Sequence, residues 1–230
     1  ESLAHIAGLR AGEPDGYLLE PILGMDEPWS YRNKMEYSFA EHDGQLVLGL
    51  HRRGSWREIV ETDDCRLAAA PIVAARRAVI EACRALGLRA YRRDGGDGLL
   101  RHLVVRHGSA NGDLVVNLFV RRRFAEEQEL MRRLTAACGA TSVAVTVNEA
   151  PADAAVGGPP QLLYGPPCFR ETLAGVPLRV PLAAFLQTNS RMCDGLYETA
   201  LRFAEPQADQ TAFDLYCGIG ALTVLLARRS

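Results

Sequence analysis

Three times in this 230-residue chain an apolar run enters an X-Gly pair and a second run leaves it: at Asp43-Gly44, Asn111-Gly112 and Ala174-Gly175. Met35, Tyr37 and Phe39 alternate before the first pair, and Leu46, Leu48 and Leu50 alternate after it. Period-two alternation puts alternate side chains on one face of a strand, and a turn that accepts positive φ folds the strand back on itself. "LLRHLVVRH" and "DLVVNLFV" flank the second pair, and "CFRET" and "VPLRV" flank the third. The connections are too short for a doubly wound sheet, so the pattern dictates antiparallel hairpins.

Helical spacing fills the gaps. Pro71 opens a helix carrying Ile72, Val79, Ile80, Cys83 and Leu86, and Gly87 stops it. A second helix is expected from about Ala125 to Cys138, ending at Gly139. Further strands are expected at Trp56–Val60 and over Val143, Val145 and Val147, with "APADAAVGGPP" as a loop and a short helix between Glu1 and about Gly16. Ser30 to about Val180 thus reads as a strand-rich α/β domain with its two helices on one face. His102 and His107 are expected to flank a strand at the surface.

From Asn189 the pattern changes. Ser190 is a plausible N-cap for a helix over Leu196, Tyr197, Ala200, Leu201 and Ala204 that ends at Glu205-Pro206. Asn189 could equally serve only as a cap. A strand is expected at Ala212–Tyr216, with Phe213 and Leu215 buried, then a glycine turn and a helix from Ala221: the first β-α unit of a parallel α/β domain. The predicted organisation is a linker over 1–29, a central α/β domain over 30–184, and the start of a Rossmann-like domain over 185–230.

"DLYCGIG" carries the chemistry. Asp214 and Tyr216 fall near the carboxyl end of the expected strand, where open α/β sheets bind ligands. Gly218 and Gly220 lack Cβ atoms, so backbone can approach a cofactor closely. A third glycine is missing, since Leu222 and Thr223 follow; that favours an adenosylmethionine type of site over a pyrophosphate site. The acidic residue expected about 20 positions on would fall past Ser230, so the chain is expected to be truncated.

Bulk numbers exclude some classes. With 48% hydrophobic and 23% charged residues the chain is ordinary for a globular protein, and no apolar run reaches the ~20 residues of a membrane span. A cytoplasmic monomer with no membrane partner is expected. The net charge of −2 gives no global attraction to nucleic acid, which leaves a local patch as the route to RNA. Of 26 basic residues only Lys34 is lysine. The six cysteines form no C-x-x-C pair and read as reduced thiols.

Three stretches together resemble the RNA uracil-C5 methyltransferases, S-adenosylmethionine-dependent enzymes that form 5-methyluridine: "YRNK" (Tyr31–Lys34), "FLQTN" (Phe185–Asn189) and "DLYCGIG" (Asp214–Gly220). The resemblance implies a central α/β domain after an oligonucleotide-binding barrel and before a Rossmann-like catalytic domain. It implies RNA contacts by Arg32, Asn33 and Lys34, cofactor contacts by Gln187, Asp214, Tyr216, Gly218 and Gly220, and RNA as partner, ribosomal rather than transfer RNA. Cys65 matches a fourth [4Fe–4S] ligand in many members, whose other three ligands lie in a cluster upstream. The nucleophilic cysteine and the base are expected past Ser230, so the chain alone is expected to be inactive; Cys217 is read as packing under the cofactor. A methyltransferase for a non-RNA substrate and a non-catalytic RNA-docking module stay open.

Overall fold

A computed structural model describes residues 2–55, 57–92, 95–150 and 154–229. Its frame is a seven-stranded sheet in the order β3-β2-β1-β4-β5-β6-β7. β1 (Lys34–His42) and β2 (Gln45–His51) form the first hairpin, with positive φ at both Asp43 and Gly44. β3 (Ile59–Glu61) edges the sheet; Trp56, expected to open it, lies outside the described residues. β4 (Leu100–His107) and β5 (Leu114–Val120) form the second hairpin, and β6 (Ser142–Val147) and β7 (Gln161–Tyr164) complete the sheet.

Two findings correct the all-hairpin reading. β5 and β6 pair in parallel, joined by helix α3 (Glu127–Cys138), so one crossover unit sits in an otherwise antiparallel sheet. β7, four residues after a proline- and glycine-rich loop, has no alternation to announce it.

Helices α2 (Ala70–Ala85) and α3 cover one face, and Gly87 and Gly139 end them at φ 65°. Tyr37, Leu48, Leu103, Val105, Val116, Leu118 and Val145 meet Ile72, Val79, Leu130 and Leu134 in the main core. Burial pushes the Cys83 thiol and the Tyr37 hydroxyl up to about 12. The opposite face is partly covered by a separate hairpin, β8 (Cys168–Leu173) and β9 (Val176–Pro181), whose Phe169, Leu173 and Val180 pack on Val115 and Ala144. At the centre of the sheet, β4 is buried along nearly its whole length. Hence His102 is 3% exposed and hydrogen-bonded to Ser38, so it is not a surface residue, while His107 is half-buried.

The N-terminal helix α1 spans only Ser2–Ala7. Helices α4 (Ser190–Ala204) and α5 (Ala221–Ala227) close the chain, with Leu201 and Leu225 packed on Val176 of β9. Residues 212–216, expected as a strand, are not one, and Phe213 and Leu215 are exposed rather than buried; Tyr216 is exposed as well. A lone parallel strand has no ladder partner among the described residues, so its alternation goes unused. No helix among the described residues is long and apolar enough to cross a membrane.

Candidate functional site

The site begins at the FLQTN segment, irregular backbone between β9 and α4. It is held in place by YRNK. The Asn33 backbone N–H donates to Thr188 O at 2.8 Å, and its side-chain amide donates to Gln187 O at 2.8 Å and Ser190 Oγ at 2.7 Å. Ser190 Oγ in turn donates to Glu171 Oε2 at 3.0 Å. The buried Glu171 carboxylate also accepts from the Ser109 hydroxyl and from the backbone N–H groups of Ser109, Ala110 and Thr172. A carboxylate with this many donors is satisfied without a cation.

This corrects the reading of Asn33 as an RNA contact. It is 4% exposed, and both donors of its amide are spent inside the protein. Its neighbours differ. Lys34 is partly exposed and pairs with Glu36, while Arg32 is half-buried, its backbone N–H donating to Leu67 O and its Nε unpartnered. The helix cap is corrected too: Asn189, not Ser190, is the N-cap of α4, its Oδ1 accepting from the Met192 N–H at 3.2 Å.

Beyond this clasp lies a cleft of about 170 Å³ whose lining includes Phe185, Gln187, Tyr197, Asp214, Tyr216, Cys217 and Gly218. Four of the five residues expected to touch a cofactor therefore share one hollow. The fifth, Gly220, caps α5 beside it at φ 77°. A Cβ on Gly218 would meet only Tyr216 O at 4.0 Å, and one on Gly220 only Thr223 Oγ1 at 3.9 Å. The backbone here is bare and open, as a closely approaching ligand requires. Tyr216 has a φ of 64°, a conformation costly for a non-glycine residue, and it holds the ring out at the cleft rim. Asp214 Oδ2 accepts from Thr223 Oγ1 at 2.6 Å, which fastens the turn to α5.

Phe185 and Tyr197 were not expected at the site. Phe185 lines the cleft and is 73% exposed, and its place within FLQTN is the one sign of it in the sequence. Tyr197 shows only helical spacing. Gln187 also borders a second hollow of about 420 Å³ with Leu23, Met192 and Leu196. Burial pushes the Cys193 thiol up to about 11, so it is inert; Cys217 is exposed on the cleft wall.

An adenosyl ligand fits this donor set: an amide, a carboxylate, an aromatic face and bare backbone. An iron–sulfur cluster does not fit the described residues. Cys65 packs against the main core, and no group of three or more His, Cys, Asp or Glu side chains among them could hold a metal.

No protein-family model matches the chain. An uncharacterized RNA methyltransferase of Caldanaerobacter subterraneus subsp. tengcongensis is 33% identical over 227 residues, covering 95% of this chain and 50% of that protein. Another, of Halalkalibacterium halodurans, is 30% identical over 223 residues, covering 96% and 48%. The chain thus spans about half the length of the curated relatives it matches. Among solved structures, Pyrococcus abyssi tRNA (uracil-54, C5)-methyltransferase in complex with S-adenosyl-L-homocysteine shares the fold, with a TM-score of 0.71 at 21% identity over 88% of this chain and 47% of that one.

Proposed function

We propose that this chain, which is similar to RNA methyltransferases over nearly all of its length, forms the central domain and cofactor cleft of an S-adenosylmethionine-dependent enzyme methylating uridine C5 in RNA. The observation that carries this reading is the cleft itself, where Gln187 of one motif faces Asp214, Tyr216 and Gly218 of another. The neighbour's bound S-adenosyl-L-homocysteine supports the choice of ligand. When bound, the cofactor would supply the methyl group for an electron-rich ring carbon.

The chain's own residues would hold and orient. Gln187 presents its side-chain amide as donor and acceptor while Asn33 fixes its carbonyl. Gly218 and Gly220 let backbone approach, and Tyr216 and Phe185 offer aromatic faces to an adenine or a flipped uracil. The nucleophile and base belong, on this reading, to the remainder of the whole protein. Cys217 lies on the cofactor's wall, and Cys65 would serve a cluster only where three further thiolates are supplied.

The test is methyl transfer by the whole protein. With labelled S-adenosylmethionine and uridine-bearing RNA, 5-methyluridine is the expected product; label appearing only in another base or in small molecules overturns the reading. Gln187→Ala should weaken S-adenosylhomocysteine binding about tenfold, or ~1.4 kcal/mol. The motif resemblance favours ribosomal RNA, so cells lacking the protein should lose the modification there; loss confined to transfer RNA refutes that choice.

A further inference from the structure

The sheet face opposite α2 and α3 is only half covered by the β8–β9 hairpin. The other half holds a cavity of about 250 Å³, roofed by residues 155–160 and by Leu182 and Ala183. Its floor comes from four neighbouring strands: Lys34 and Glu36, Val104 and Arg106, Asn117 and Phe119, and Thr146. Lys34 and Arg106 are cross-strand partners, so their side chains rise side by side.

Arg106 is the unusual member. It is 5% exposed, its Nε has no hydrogen-bond partner, and its guanidinium meets no carboxylate in an ion pair among the described residues. It lies 5.9 Å from the centre of the Phe169 ring, a weak partner for a full charge. The one carboxylate of the cavity, Glu36, is already paired with Lys34. Glu36 attracts Arg106 without forming an ion pair with it, so the buried guanidinium is only partly compensated, and burial holds its pKa below the usual arginine value. Asn117 accepts from Thr146 Oγ1 at 3.1 Å through its carbonyl oxygen, which leaves its amide N–H groups facing the cavity as further donors.

The roof is built rather than draped. A Cβ on Gly157 would stand 2.6 Å from Val147 O and 2.9 Å from Thr146 Cγ2, so only glycine lets the loop seat this closely on β6. The Gly158 N–H donates to Val147 O at 3.1 Å. The cavity would hold on the order of eight waters at ~30 Å³ each, ample for a tetrahedral anion with part of a sugar.

We propose that this cavity is a phosphate site, in which Arg106, Lys34 and the Asn117 amide take one backbone phosphodiester of the RNA substrate. This rests on the RNA-directed reading above but uses residues distinct from those of the cofactor cleft. Arginine suits the task because its planar fork matches two phosphate oxygens. One phosphate held in a shaped cavity would set the register of the strand, while base identity is read elsewhere.

The test uses the whole protein and Arg106→Met, which keeps the apolar stem and removes the charge. Binding of a uridine-bearing oligonucleotide is measured across salt concentrations, and thermal stability is measured in inorganic phosphate against chloride at equal ionic strength. Wild type should be stabilised selectively by phosphate, and Arg106→Met should not. The variant should bind RNA about tenfold more weakly, with a plot of log affinity against log salt shallower by about 0.7–0.9, the share of one phosphate. An unchanged slope overturns the proposal, even where inorganic phosphate still stabilises wild type, because the site would then take a free anion. Should Arg106→Met fail to fold, Lys34→Met carries the same slope test. Loss of S-adenosylhomocysteine binding or of methyl transfer alone bears on the earlier reading, not on this one.

Discussion

Asn33→Ala separates a structural clasp from an RNA contact. The substitution removes two hydrogen bonds, to Gln187 O and Ser190 Oγ, from a side chain that is 4% exposed. At about 0.5–1.5 kcal/mol each, the pair is worth roughly 1–3 kcal/mol. Both acceptors are only half-buried, so water can reach them in the variant and the loss should lie near ~2 kcal/mol. For a chain of this length that lowers Tm by about 4–8 °C. Released from its anchor, the Gln187 segment should widen the cleft it shares with Asp214 and Tyr216, so S-adenosylhomocysteine affinity of the whole protein should fall as well. The salt dependence of RNA binding should not change, because no cation was removed. Stability intact, cofactor affinity intact and weaker RNA binding at every salt concentration, with the slope unchanged, would refute the clasp and restore Asn33 to the RNA surface. A double-mutant cycle with Ser190→Ala should show a coupling of about 1 kcal/mol.

Glu171→Gln places an amide NH₂ against either the Ser109 or the Ala110 N–H donor, whichever oxygen it replaces, and should cost ~2–3 kcal/mol in denaturant unfolding; a neutral result would mean that the network re-forms without the charge. Asp113 is held below the usual carboxylate range by hydrogen bonds from the Arg170 guanidinium, against the opposing effect of burial. Its contribution is present above about pH 4 and is lost as pH falls through the lower folded value. Arg170→Met should therefore destabilise at pH 7, and the gap to wild type should close on acidification below about pH 4; a gap constant with pH would refute this. Cys217→Ser in the whole protein should retain methyl transfer, and complete loss would make Cys217 the nucleophile after all.

What could be seen in the sequence was what local chemistry decides. Asp43-Gly44 and Ala174-Gly175 take positive φ at both positions, and each closes the hairpin that its flanking alternation announces. Gly87 and Gly139 stop their helices because the left-handed conformation suits them. What was hidden depends on partners far along the chain. Asn33 looks like a surface ligand until the 187–190 segment docks over it. His102 and Arg106 look exposed until a hairpin and a glycine loop cover the second face of β4. The alternation in 212–216 is real but finds no neighbouring strand among the described residues, so the local signal and the observed backbone part company.

The point where YRNK enters β1 has a functional consequence. Asn33, at the bend before the strand, ties down Gln187 of the cofactor cleft, while Lys34, the first residue of β1, lines the cavity holding Arg106. Adjacent residues thus serve two separate hollows, and the β1–β4 ladder fixes the spacing between them through the Lys34–Arg106 register and the His107 N–H to Asn33 O bond of 2.8 Å. An RNA strand gripped by one phosphate at the cavity would meet the cleft at a set reach, without a hinge between the two. On that geometry Arg106→Met should weaken RNA binding without altering cofactor affinity, whereas Asn33→Ala should do the reverse. A variant of either residue that moved both affinities together would show that the two hollows are not independent and that the ladder transmits more than distance.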